Sequence, residues 1–226
     1  SRAYAMANLA IHDALNAIER KFQPYAFDKK AEPGTSPEAA VAAAARDVLA
    51  QAIGALPLEL VKQECIDAGT ASVEAAYHAA IGAIPDSPAK QQGLALGQAA
   101  AAAILAKRAD DHATGGPFLN KNCPQPVPGK YQCTPGFPFI AFEAWEHVTP
   151  FVLHDNAQFR PGPPYAVTDA KFAEDLKEVQ ALGGDGKTTP SARTPEQTQV
   201  ALYWWESSPL KWSRIARVVS ATKGLP

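Results

Sequence analysis

Ten of the chain's 20 prolines fall between Pro117 and Pro164, and this partition limits the fold more than any other feature. Proline fixes φ and removes a backbone donor, so a segment this rich in it cannot stay helical for long. The residues before it have the opposite texture, rich in alanine and apolar at helical spacing. In SRAYAMANLAIHDALNAIERKF, Tyr4, Ile11, Leu15, Ile18 and Phe22 recur with the period of a helix. Ser36-Pro37 and Ser87-Pro88 each place a capping residue before a proline suited to a first helical position. They predict helices to about Gly54 and to about His112, the latter stopping before Gly115-Gly116. Between them a long helix is expected from about Leu58 to Ile84. Four helices on short loops predict an antiparallel bundle over residues 1–116.

The proline-rich stretch, 117–167, reads as irregular structure. Its rings, among them Phe137, Phe139, Phe142 and Trp145, are expected to cover the helices or line a cleft. Helical period returns in TDAKFAEDLKEVQAL, with Thr168 as the expected cap. It appears again from Thr194, where TPEQ spells a capping box. A last helix is expected in KWSRIARVVSATK. Residues 168–226 are therefore expected to add helices to the same domain, with the chain trimmed at one or both ends. No βαβ unit and no useful period-2 stretch is visible, so the expected class is all-α.

A composition of 46% hydrophobic and 19% charged residues with a net charge of −2 is globular. It lacks the basic stripe that nucleic-acid binding requires. No apolar run reaches the roughly 20 residues of a membrane span. Cys123 and Cys133 flank the loop PQPVPGKYQ, a spacing that favours a disulfide and an oxidising compartment; a metal site is the rival. Cys65 shares a helical face with Leu58, Val61, Val73, Tyr77 and Ile84, which predicts a buried thiol.

Chemistry-bearing patterns are few. Residues 181–188, ALGGDGKT, match the P-loop spelling if Ala is tolerated at the first position. A P-loop needs a strand before it and a helix N-terminus after it. Here an amphipathic helix precedes, and Thr189-Pro190 and Thr194-Pro195 follow. Asp185 also puts negative charge inside the nest. The segment is read as a helix stop capped by Gly183, followed by a loop.

Asn8, His12 and Asn16 form a polar stripe on the first helix, expected to hydrogen-bond between helices; a metal site is the rival, disfavoured because Asn is a poor transition-metal ligand. Asp13 is expected to pair with a neighbouring helix. Lys107, Arg108, Asp110, Asp111 and His112 read as a solvated helix end. His147 and His154 bracket the aromatic loop. Arg160, held extended between Phe159 and Pro161, could grip an oxyanion or pair with Glu143 or Asp155; the pairing is favoured. Trp204, Trp205 and Trp212 read as core or interface rings. The candidate pocket-lining set is His154, Phe159, Arg160 and Trp205. No metal ligand set is visible.

Several stretches occur together in one family. AMANLAIHDALNAIERKFQPY, then QFRPGPPY, FAEDLKEVQALG, SARTPEQTQVALYWW and KWSRIARVV, in this order, resemble the N-terminal half of bacterial vanadium-dependent haloperoxidases and related type-2 phosphatidic acid phosphatase proteins. The resemblance spans nearly the whole chain. It implies an all-helical fold of two four-helix bundles and an oxyanion site that holds vanadate, or phosphate as substrate. A histidine, lysine, arginines, a serine and a backbone amide form that site, whose donors stabilise charge on a trigonal-bipyramidal centre. The family's Lys…Arg-Pro, Pro-Ser-Gly-His and Arg…His stretches are absent here. Arg160-Pro161 lacks the upstream lysine, so no catalytic residue is carried over.

The expectation is a scaffold portion of a periplasmic or secreted haloperoxidase or phosphoesterase. Its partners would be its own C-terminal catalytic half and a small-molecule substrate, with homo-oligomerisation open. The portion itself would bind no cofactor. The alternatives are a non-catalytic helical protein that binds a ligand or partner, and a family member that has lost its oxyanion site.

Overall fold

The computed structural model describes residues 1–114 and 116–224. Gly115, expected to help end a helix, and the terminal Leu225 and Pro226 lie outside the described residues. About 53% of the structure is helical, with seven α-helices among the described residues. They are α1 (Arg2–Ile18), α2 (Pro37–Gly54), α3 (Gln63–Gly82), α4 (Pro88–Lys107), α5 (Ala170–Leu182), α6 (Pro195–Trp204) and α7 (Ser208–Lys223). Two-residue strands, β1 (Leu119–Asn120) and β2 (Ile140–Ala141), pair antiparallel with Leu119 opposite Ala141.

The helix starts follow from local chemistry. The Ala39 N–H donates to Ser36 Oγ and the Lys90 N–H to Ser87 Oγ, both at 3.2 Å. At α6, Thr194 Oγ1 accepts the Gln197 N–H, and Gln197 Oε1 accepts the Thr194 N–H, closing the capping box. Several boundaries differ from expectation: α4 ends at Lys107 and not near His112, and α7 begins at Ser208, three residues before the expected stretch. α3 starts at Gln63, because the Pro57 carbonyl accepts from Leu60 and Val61 and turns the chain before the helix. α5 follows Asp169, not Thr168.

The chain forms two units. The first comprises Ser1–Asn122 and Gly136–Gln158, the second Cys123–Pro135 and the described residues from Phe159 onward. In the first, α2 packs against α1, α3 and α4. Its core is built on small side chains: Ala10, Ala14, Ala40, Ala44, Ala100 and Ala101 are fully buried with Val48 and Ile104. Gly93 and Gly97 bring α4 against the α2 backbone. A Cβ on Gly97 would stand 2.2 Å from the Ala40 carbonyl oxygen, and one on Gly93 2.4 Å from that of Ser36. With no side chain between the backbones, short methyl groups suffice to fill the remaining space.

The buried face of α3 runs through Ile66 and the half-buried Val73 and Tyr77. Cys65 lies one residue off that face. It is a free, exposed thiol, not the buried one expected.

In the second unit a disulfide joins Cys123 to Cys133, with Cα atoms 5.8 Å apart. The end of α5 is held by Ser191 Oγ and Arg193 Nη1, which both donate to the Leu182 carbonyl. No residue of α5 or α6 is buried. Val179, Leu202, Trp204, Trp205 and Trp212 expose large apolar surfaces, so these tryptophans are surface rings within this chain. Among the described residues no helix is long and apolar enough to cross a membrane.

Candidate functional site

The polar stripe of α1 serves the connection to α2. Asn8 donates to the Tyr4 carbonyl of its own helix. The Asn16 side chain donates to the Phe22 carbonyl and accepts the Lys21 and Phe22 N–H groups, which satisfies the turn after the helix end. These residues do not form the expected ladder between helices. Asp13 is also corrected: among the described residues it pairs with no cation. Its fully buried carboxylate accepts the N–H groups of Tyr25, Ala26 and Phe27 at 2.7, 2.7 and 2.9 Å. Three consecutive backbone donors make a small anion nest, and Asp13 fills it.

The end of α4 is not a solvated terminus. Arg108 and Asp111 are 2% and 4% exposed, and Arg108 Nε donates to Asp111 Oδ2 at 2.9 Å. Arg2 Nε donates to the same oxygen at 2.7 Å. The remaining Arg108 donors reach the Thr149 and Pro150 carbonyls, and its guanidinium lies 3.9 Å from the Phe151 ring centroid. Burial alone would raise the Asp111 carboxyl. The hydrogen bonds from Arg2 and the Ala113 N–H, with the charges of Arg2 and Arg108, outweigh it and hold the group below the usual carboxylate range. The network ties the start of α1, the end of α4 and the loop at 149–151 together.

Above this network a cleft of about 530 Å³ opens beside α1, walled by Leu9, His12, Pro24, Tyr25, Lys107 and Phe151. Tyr25 and Phe151 stack at 6.4 Å between centroids, and Lys107 Nζ sits 5.5 Å from the Tyr25 ring. His12 Nε2 lies 3.1 Å from the Gln23 carbonyl oxygen. A carbonyl only accepts, so in this contact Nε2 is the donor.

The P-loop spelling ends in a filled nest. Asp185 Oδ1 accepts the N–H groups of Lys187, Thr188 and Thr189, and Oδ2 accepts the Thr188 hydroxyl. These bonds, led by that from Thr189, hold the carboxyl far below its ordinary range. Gly183 caps α5 here.

The pocket residues expected from the sequence are scattered on surfaces. His147 and His154 are exposed, as are Phe159 and Arg160. No ion pair among the described residues includes Arg160; Glu143 instead accepts from Asn120, and Asp155 accepts the Ala157 N–H. Trp205 lines a 320 Å³ surface cavity with Arg193, Thr198, Ala201 and Leu202. Nearby in sequence, Lys211 is 1% exposed; its Nζ has no hydrogen-bond partner and faces the Tyr203 and Trp204 rings at 4.2 and 4.8 Å.

Among the described residues no three or more His, Cys, Asp or Glu side chains group to hold a metal. Among the described residues the buried cations are each engaged: Arg108 donates to Asp111 and two carbonyls, Lys90 to Asp86 and the Ile84 carbonyl, and Lys211 faces the Tyr203 and Trp204 rings. Neither a family model, a curated protein nor a solved structure matches the chain.

Proposed function

We propose that this chain is a helical scaffold portion of an enzyme similar to vanadium-dependent haloperoxidases or the related acid phosphatases, with α1–α4 as an antiparallel bundle. The ordered series from AMANLAIHDALNAIERKFQPY to KWSRIARVV supports the kinship. The observation that carries the scaffold role is the unpartnered apolar surface of α5–α7: Val179 is 65% exposed, Leu202 63%, Trp205 86% and Trp212 58%. Such faces suit burial against further helices of an enzyme's catalytic part. The Cys123–Cys133 bond favours a periplasmic or secreted location.

The donors present do not fit vanadate or phosphate, so no catalytic step is assigned to residues of this chain. The oxyanion chemistry would belong to the catalytic part, where bound peroxide oxidises a halide or an ester is hydrolysed. The test has two arms. Calorimetric titration of the full gene product with vanadate should give saturable binding, while the 226-residue chain gives none and turns over neither bromide with peroxide nor a phosphomonoester. Normal turnover by the chain alone would overturn the reading.

The cleft beside α1 favours a second reading, a non-catalytic helical ligand-binding protein. A Pro-Ser-Gly-His stretch in the adjoining gene sequence would decide for the enzyme, and its absence for the binding protein.

A further inference from the structure

Three residues of the α1 cleft, Tyr25, Phe151 and His12, are each held by a polar contact, that of His12 at the surface. Tyr25 belongs to the backbone run that donates to Asp13. Phe151 lies against the Arg108 guanidinium, which Asp111 and the Thr149 and Pro150 carbonyls hold in place. His12 is oriented by the Gln23 carbonyl. The front of the cleft is less committed. Lys107 enters no ion pair among the described residues and meets only a ring face, whereas the adjacent Arg108 is fully satisfied. Among the described residues no Asp or Glu lines the cleft. It thus carries one cation, Lys107, with no carboxylate partner among the described residues, beside the apolar surfaces of Leu9, Pro24 and Phe151. Its volume of about 530 Å³ falls in the range of small-molecule sites.

We propose that this cleft binds a small organic carboxylate with an apolar body. The carboxylate would pair with Lys107 Nζ, and the body would rest on Phe151, Leu9 and Pro24 beside His12. The walls are ordered before the ligand arrives, which removes part of the entropic cost of binding. The charge and the apolar surface select together: a free inorganic anion would use only Lys107, and a neutral apolar molecule only the walls. The cleft would do this in either a scaffold or a binding protein.

Benzoate, with benzyl alcohol as its neutral isostere, tests this by nuclear magnetic resonance titration of the 226-residue chain. Benzoate is expected to shift His12, Tyr25 and Phe151 resonances saturably and to bind more tightly than benzyl alcohol. Lys107→Met, at an exposed position, should keep the fold and the melting curve. It should weaken benzoate about fivefold while leaving benzyl alcohol within about twofold, a range set by a charge-assisted contact open to solvent. Shifts that fail to saturate, shifts confined to other surfaces, or equal benzoate affinity in Lys107→Met would each overturn the proposal.

Discussion

The Thr188 hydroxyl donates to Asp185 Oδ2 at 2.7 Å, so the loop spelled like a phosphate cradle already holds its anion. The three N–H groups that a nucleotide phosphate would need converge on Asp185 Oδ1. ATP should therefore give no saturable heat in calorimetry, and Lys187→Ala should change nothing. Asp185→Ala should leave the Lys187, Thr188 and Thr189 amides unbound and speed their hydrogen exchange at least about tenfold. An ATP affinity lost in Lys187→Ala would refute this account.

Asp13 orders the start of the α1–α2 connection without any counter-charge. Asp13→Asn turns an amide NH₂ toward N–H donors that it cannot accept from, leaving at least one buried donor unsatisfied. The expected loss is about 2 kcal/mol in denaturant unfolding. A cost near zero would mean that the loop is held by other contacts.

Acid should loosen the Arg2–Asp111–Arg108 network. The folded Asp111 carboxyl sits below its ordinary value of about 3.9. A depressed carboxyl stabilises the fold at pH above that unfolded value, and the contribution drains away as pH falls toward the folded one. Melting temperature should therefore decline below about pH 4. Asp111→Asn should cost about 3 kcal/mol at pH 7, because it leaves Arg108 buried and unpaired, and should flatten the acid decline. An unchanged acid profile in this variant would assign the decline to other carboxylates.

Gly97→Ala tests the close approach of α4 to α2. The added methyl would collide with the Ala40 carbonyl oxygen, backbone that cannot swing aside. Ala is ordinarily the better helix former by about 1 kcal/mol, so propensity predicts stabilisation and packing predicts loss. Packing should win by about 3 kcal/mol, the upper end of overpacking costs. Gly82→Ala, at the end of α3 with nothing within 4 Å of an added Cβ, is the control and should not destabilise. A stabilised Gly97→Ala would show that the helices separate more readily than this interface implies.

The starts of α2, α4 and α6 were legible because their causes are local: a Ser or Thr hydroxyl and an N–H three residues on. That ALGGDGKT forms no phosphate cradle was legible too, from the prolines that follow it, and Asp185 was the residue to notice. Cys65 misled because period counting ran through the turn that follows Pro57 and joined Leu58 and Val61 to a helix that begins only at Gln63. Arg108 and Asp111 looked solvated because charged residues usually end helices in water. Their i, i+3 spacing was the available signal, but their burial depends on Arg2 and on the loop at Thr149–Phe151, distant in sequence. The cleft had no sequence signature, since Tyr25, Lys107 and Phe151 meet only through packing.

By itself the sequence determined the predominantly helical class and where α2, α4 and α6 begin, since periodicity, caps and proline act within a few residues. It also determined that residues 181–188 form no strand–turn–helix nucleotide site. Tertiary structure alone decided which charges are buried, which thiol is exposed and which rings meet. Those outcomes depend on contacts between residues far apart in the chain, where desolvation and packing outweigh local preference.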